Sequence, residues 1–435
     1  MNPREREIVA WAKASARPLH GGAGLDELVA RIGDARYVLL GEATHGTAEF
    51  YVWRARLSAR LIEEHGFSFV AVEGDWPDCL TVNNYVKDRP NAGASARAVL
   101  HAFSRWPTWM WANKEVVAFA EYLREVNRAR GGKPGAGFYG LDVYSLWESL
   151  GEVIRYLERI DPPAVKHART AAACFDSFGD DLEAYARASA LVPVSCEDDL
   201  ARLLVELQAK RAQYREDDAE AYFAAEQNAL VARNAERYYR SMLRWGAASW
   251  NVRDRHMVET LERLMAFHGP RAKCIVWAHN THVGDARATD MAGGGYVNVG
   301  QLLREAHPVG DVFALGFATH RGGVIAGPSW ESPMERMAVP PAQAGSLEDL
   351  LYQAAKGDRW FTFADAPAAL AAPLGHRAIG VVYDPVYERG NYVPSVLPDR
   401  YDALAFIEHS HPLHPLHIEP HADTHDAPET FPTGE

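Results

Sequence analysis

No stretch of the 435-residue chain is apolar for the roughly 18 residues that a membrane crossing needs, so a membrane is not an expected partner. The opening residues, Met-Asn-Pro-Arg-Glu-Arg-Glu, lack the apolar centre of a signal peptide. Cysteine is scarce: Cys79, Cys174, Cys196 and Cys274 are scattered, with no CxxC pair. That pattern argues against a thiolate zinc site and fits a reducing cytoplasm better than a disulfide framework, so a cytoplasmic location is expected. Positive charge is in deficit. Lys and Arg number 45 against 58 Asp and Glu, a formal net charge of −13, and such a surplus repels a phosphate backbone and argues against nucleic acid as a partner. Part of the surplus is terminal, because from Tyr401 onward there are seven acidic residues and no Lys or Arg. Several reaction signatures are also missing. The chain has no GxSxG, HExxH or GxxxxGK[ST], and no GxGxxG directly following its first strand, which argues against a serine-elbow hydrolase, a zincin, a P-loop enzyme and a Rossmann dehydrogenase.

What is present is an ordinary globular balance, 48% hydrophobic and 24% charged residues, together with 18 histidines. Short apolar runs alternate with amphipathic stretches. Strands are expected at residues 37–40, 67–72, 138–141, 274–278, 312–317 and 378–383. Helices are expected at residues 49–65, where Phe50, Trp53, Leu57, Leu61 and Ile62 recur at helical spacing and Gly66 ends the run, and at residues 113–128. Strands separated by helices imply an α/β fold with a mostly parallel sheet flanked by helices. Between residues 162 and 250 the strand signal gives way to Ala, Leu, Glu, Arg and Gln, which reads as a large helical insertion. The expected organisation is therefore an α/β core in two parts, residues 1–161 and 251–408, around an insertion at 162–250. Residues 409–435 hold six histidines among prolines and acids and read as a flexible tail.

Four of the expected strands end in ionisable residues: Glu42 and His45 after the first, Glu73 after the second, Asp142 after the third, and His279 with His282 after the fourth. In open parallel sheets ligands sit beyond the carboxyl ends of the strands, where such groups converge. A single strand-end acid is more often a helix cap; two acidic and two histidine-bearing ends point to His and carboxylate chemistry on water.

The segments carrying these residues, VLLGEATHG, VAVEGDW, FYGLDVYS, WNVRDRHM, VWAHNTHVG and ALGFATHRG, resemble the erythromycin esterase family in order and separation over about residues 30–408. The resemblance implies an α/β unit with an extra helical portion, and hydrolytic opening of a macrolide lactone by water without a covalent intermediate. Carried over by position, it makes His45 the general base, with Glu42, Glu73 and His279 completing the catalytic set. His282, Arg54 and Arg253 are then candidates to bind substrate or the developing oxyanion, beside Asp142 at its strand end.

Each assignment has a competitor. Arg54 and Arg253 lie among acids and would serve equally in ion pairs. The aromatic cluster Trp106, Trp109 and Trp111 either lines an apolar cleft, with Trp111 touching substrate, or belongs to the core. A metal-independent site is expected. Two histidines and two glutamates would also suit a divalent ion, making a metal-dependent hydrolase of ester or amide bonds the alternative reading. A binding protein that keeps the cleft without turnover is the non-enzymatic one. The wording of the motifs is closer to the broad bacterial relatives than to dedicated resistance enzymes, which favours ester hydrolysis in general over antibiotic resistance in particular. The expected partner is a small-molecule ester.

Overall fold

The computed structural model describes residues 1–19, 22–131, 135–178, 182–191, 195–242 and 246–417. Its strands are β1 (Arg17–Pro18), β2 (Tyr37–Leu40), β3 (Phe69–Asp75), β4 (Gly137–Asp142), β5 (Cys274–Trp277), β6 (Val312–Ala326), β7 (Glu335–Val339), β8 (Arg359–Thr362), β9 (Leu374–Arg377), β10 (Tyr392–Ser395) and β11 (Ala403–Ser410). The chain forms two compact units. Among the described residues, those within 1–71, 82–138 and 271–417 make unit one, and those within 72–81 and 139–270 make unit two.

Unit one is built on a sheet of mixed direction. β2 sits centrally, parallel to both β5 and β6, so that Leu39 pairs with Val276 on one side and Ala314 on the other. β11 continues the sheet parallel to β6, and β8 and then β1 close that edge antiparallel. Beyond β5 lie the first residues of β3 and β4, with Ser68 N donating to Lys273 O at 2.8 Å and Gly137 N to Ser68 O at 3.0 Å. β2 and β5 are buried at every residue, as expected of strands covered on both faces. The helix Ala48–Glu64 turns Phe50, Trp53, Leu57 and Leu61 inward, and Gly66 takes the left-handed φ of +69° that ends it. The helix Lys114–Ala129 starts from Asn113, whose side chain accepts from Val116 N at 2.8 Å.

Unit two is helical. Helices Leu146–Ile160, Ala219–Met242 and Ala248–His268 are its longest, and its core gathers Leu146, Leu150, Val153, Leu203, Tyr222 and Tyr238. Among the described residues of the 162–250 segment there is no strand, as the composition implies. The buried carboxylate of Glu236 is satisfied within this unit by the Tyr185 hydroxyl at 2.6 Å and Arg240 Nε at 2.9 Å.

Three expectations are corrected. Residues 378–383 are not a strand. They form single bridges across the sheet's end, with Ile379 N donating to Ala43 O and Gly327 N to Val381 O. Their alternating apolar residues look like a strand because Ile379 and Tyr383 pack with Val324 and Val339 in a small satellite core. Second, residues 409–417 are not a tail. Ser410 closes β11, and the two following His-Pro-Leu triplets clip to helix starts: His411 Nδ1 meets Glu49 Oε1, and His414 Nδ1 meets Glu115 Oε1, each at 2.6 Å, while Leu413 and Leu416 are buried. The remainder of the expected tail lies outside the described residues. Third, Cys174 and Cys196 form a disulfide across 22 residues. Two segments distant in sequence can meet at any spacing, so a missing CxxC did not exclude it, and the thiol argument for a cytoplasmic location does not hold. Among the described residues no helix is long and apolar enough to cross a membrane.

Candidate active site

The first candidate centre lies in unit one, where β2 runs into Gly41-Glu42-Ala43-Thr44-His45-Gly46. Both glycines are required by close approach. A Cβ on Gly41 would stand 2.1 Å from Asn280 Oδ1, and one on Gly46 would stand 1.9 Å from the Ile325 carbonyl oxygen. The turn between them is tied by the Thr44 and Thr47 hydroxyls at 2.6 Å. It brings His45 Nδ1 to 2.9 Å from Glu42 Oε1, while the Tyr51 hydroxyl donates to His45 O at 3.0 Å. The other Glu42 oxygen accepts from Arg54 Nη2 at 2.7 Å.

All three ionic side chains are buried, and Arg54 is fully so. Arg54 is thus held beneath Glu42 rather than presented to a ligand. Its guanidinium lies over the Tyr51 and Trp277 rings at 4.3 and 5.1 Å, and its Nε and Nη1 make no hydrogen bond among the described residues. The ring faces take over part of the stabilisation that water gives an exposed cation. A carboxylate that accepts from Nδ1 leaves the neutral His45 ring with its lone pair on Nε2, the arrangement a general base needs.

His279 ends the segment after β5, and its ring centroid is 4.8 Å from that of His45. It caps the short helix Asn280–Val283: its Nδ1 accepts from Thr281 N at 3.3 Å and lies 2.9 Å from Thr281 Oγ1. An Nδ1 that accepts from an amide carries no proton, so the neutral ring bears its hydrogen on Nε2 and is a donor there. His282 is buried on the same turn. Trp109 and Trp111 belong to the interior. Trp111 is buried and packs edge-on against Tyr51 at 6.0 Å and Phe138 at 6.4 Å.

The second cluster lies in unit two. Arg253, on the helix Ala248–His268, donates through Nε and Nη2 to Asp142 at 2.9 and 2.7 Å and through Nη2 to Glu73 Oε1 at 2.9 Å. Tyr144 stacks 4.9 Å from the guanidinium. Glu73, expected in the catalytic set, accepts from this arginine. Behind Asp142 stands His256, which the sequence reading did not single out. Its Nδ1 accepts from Asn234 Nδ2 at 2.9 Å and its Nε2 faces Asp142 O at 3.2 Å. Burial pushes the His256 pKa down to about 4, against the opposing charges of Glu259 and Asp142, so the ring is neutral. Cys79 is no nucleophile candidate, because burial and the neighbouring Asp78, Asp75 and Asp142 push its thiol well up.

Among the described residues no three His, Cys, Asp or Glu side chains are grouped as a metal ion would need. The structure brings Glu42, His45, Arg54 and His279 together in unit one, and Glu73, Asp142 and Arg253 in unit two. Asn280 and Thr281, which fix His279, stood inside a motif already noted. The role of Asn280 had no signal in the sequence, because its side chain bonds the main chain of Phe317, far along the chain, whereas Thr281 bonds the side chain of His279 two residues away.

The chain matches the family described as erythromycin esterase over residues 62–410; Glu42, His45 and Arg54 precede that range. It is similar to YbfO of Bacillus subtilis (strain 168), provisionally named a hydrolase, at 23% identity over 92% of this chain and 91% of the relative. A crystal structure of a Bacillus cereus protein superposes with a TM-score of 0.77 at 19% identity, covering 95% of this chain and 99% of that one. An erythromycin esterase mutant, EreC, in its open conformation superposes with a TM-score of 0.66 at 18% identity, over 91% of this chain and 97% of that one. These structural likenesses establish a shared fold, and the family match points to a hydrolase. By that match, the chain belongs to the erythromycin esterase family.

Proposed function

We propose that the protein hydrolyses a carboxylic ester, either a macrolide lactone or another bulky ester, by direct attack of water with His45 as general base. The observation that carries this reading is the buried chain Arg54–Glu42–His45, with contacts of 2.7 and 2.9 Å, beside the His279 ring. Glu42 fixes His45 with Nε2 as the basic nitrogen, and Arg54 engages the other Glu42 oxygen and so holds the carboxylate in place. His45 removes a proton from water as the oxygen attacks the ester carbonyl carbon, a contribution of about 10²–10⁴ in rate. The carbonyl oxygen becomes an oxyanion. His279, donating from Nε2, is the group suited to stabilise it, and loss of one such donor typically costs about 10²–10³ in kcat. As the tetrahedral intermediate collapses, the C–O bond to the alcohol breaks and the His45 imidazolium returns its proton to the leaving alkoxide. A lactone therefore opens to a hydroxy acid with the net gain of one water.

A mass-spectrometric screen of intact macrolides and simple aryl esters tests this. Gain of one water on a macrolide, or acid and alcohol from an aryl ester, is the expected product. Turnover of amides alone, or loss of activity to chelator with recovery on one added ion, would contradict the metal-free ester reading.

A further inference from the structure

A second buried carboxylate–imidazole pair lies in unit one, outside the set named above. His376 Nδ1 is 2.6 Å from Glu348 Oε1, and both side chains are shielded from solvent. The same Glu348 oxygen accepts the Arg377 amide at 2.9 Å. Burial alone would push Glu348 up, but the hydrogen bond from His376 and the positive charge of Arg377 outweigh it and hold the carboxyl below its usual range. Burial likewise holds His376 below its ordinary value against the pull of Glu348. The pair is thus an ionised carboxylate and a neutral ring. Buried polar groups persist where each finds its hydrogen-bond partners, so what the other side of the imidazole holds becomes informative.

On that other side His376 Nε2 lies 3.3 Å from Asn280 Nδ2. The orientation of the Asn280 amide is fixed by the main chain of β6: Nδ2 donates to Phe317 O at 2.7 Å, and Oδ1 accepts from Phe317 N at 3.2 Å. With Nδ2 able only to donate, His376 Nε2 must accept, and Nδ1 must carry the hydrogen that Glu348 receives. A protonated His376 would turn a second donor onto Nδ2, so the network works only with the ring neutral. The main chain of Asn280 is equally committed. Its amide donates to Glu42 O at 2.8 Å, and its carbonyl accepts from Gly284 N at 3.0 Å and Arg400 Nη2 at 3.2 Å. Asn280 is the residue after His279 and opens the turn that His279 caps.

We propose that Glu348 and His376 are positioning residues for the hydrolytic centre, holding Asn280 so that its peptide fixes the Glu42 turn on one side and the His279 cap on the other. The inference rests on the ester-hydrolase reading for its effect on rate and on geometry alone for its effect on the His279 ring. Two variants of the full chain test it, His376→Ala and Glu348→Gln. The glutamine keeps an oxygen to accept from His376 Nδ1 and should rescue.

The decisive readout is the ring-nitrogen NMR signature of ¹⁵N-histidine-labelled protein, with the His279 signals assigned by their loss in His279→Gln. Wild type and Glu348→Gln should show His279 with an accepting Nδ1 and a protonated Nε2, and His376→Ala should lose that signature. An unchanged His279 signature in His376→Ala overturns the proposal whatever happens to the rate. On an ester that wild type turns over, His376→Ala should lower kcat about 10- to 100-fold with KM changed by less than about threefold, the pattern of a misplaced catalytic group. An unchanged kcat overturns the proposal as well. Should wild type turn over no ester, the ester reading fails and the ring signature still decides the positioning claim. If His376→Ala does not fold, His376→Gln takes its place with the same expected outcomes.

Discussion

The two ionic clusters use the same residue types in opposite proportion. In unit one a single carboxylate, Glu42, is shared by an imidazole and a guanidinium; in unit two a single guanidinium, Arg253, is shared by two carboxylates. The proportions separate their chemistry. Glu42, paired with one cation, keeps a histidine beside it, the side chain that exchanges protons near neutral pH. Arg253 cannot lose its proton in a protein, and its fork meets Asp142 through two nitrogens, a geometry that locks parts in place. The proposed proton transfer belongs to the first cluster, while the second gathers two carboxylates about a cation that stays charged.

Substitutions that exchange these properties should break the contrast, and the largest effect is expected at Glu42. Glu42→Gln places an amide where the carboxylate stood, and the amide NH₂ can donate to His45 Nδ1 and favour the wrong tautomer. kcat should fall by about 10²–10⁴, as expected when a base and its orientation are lost together, measured on whichever ester wild type turns over. In unit two the effect should fall on stability. Arg253→Ala leaves Glu73 and Asp142 buried without their cation, and chemical denaturation should show a loss of about 3–5 kcal/mol.

A smaller effect is pH-dependent. Folded His256 has its pKa near 4, below the ordinary 6.5 of the unfolded chain. Between those values the unfolded state binds the extra proton, so stability falls as pH drops from 6.5 towards 4, by up to about 1.4 kcal/mol per pH unit, and then levels off. His256→Asn should be less stable at neutral pH yet show a flatter decline across that window in thermal melts. The smallest effect belongs to the half-exposed clip of His414 on Glu115: Glu115→Ala should change stability by no more than about 1 kcal/mol.

β2, β3, β4 and β5 were legible because they are apolar runs that end in ionisable residues. β7, β8 and β11 were not. β7 is a mostly exposed strand that opens on Glu335 and Arg336, β8 is four residues long, and β11 runs directly into a His- and Pro-rich stretch whose composition imitates a tail. Its order comes from two acids, Glu49 and Glu115, more than 290 residues earlier in the chain. At the candidate site Glu42, His45 and His279 could be named from their strand ends. Arg54 could be named as a cation but not as one buried over Tyr51 and Trp277, since a single sequence does not show which rings surround a guanidinium. Asn280, His376 and Glu348 had no local signal, because each acts through a partner on a different strand or helix.

The most direct test of the reaction centre is ester hydrolysis in ¹⁸O-labelled water by wild type and by His45→Asn, followed by mass spectrometry of the acid product and a melting curve for each protein. The account predicts one ¹⁸O in the acid formed by wild type, and product formation in His45→Asn slower by about 10²–10⁴ with an almost unchanged melting temperature. Turnover by folded His45→Asn at the wild-type rate would contradict it.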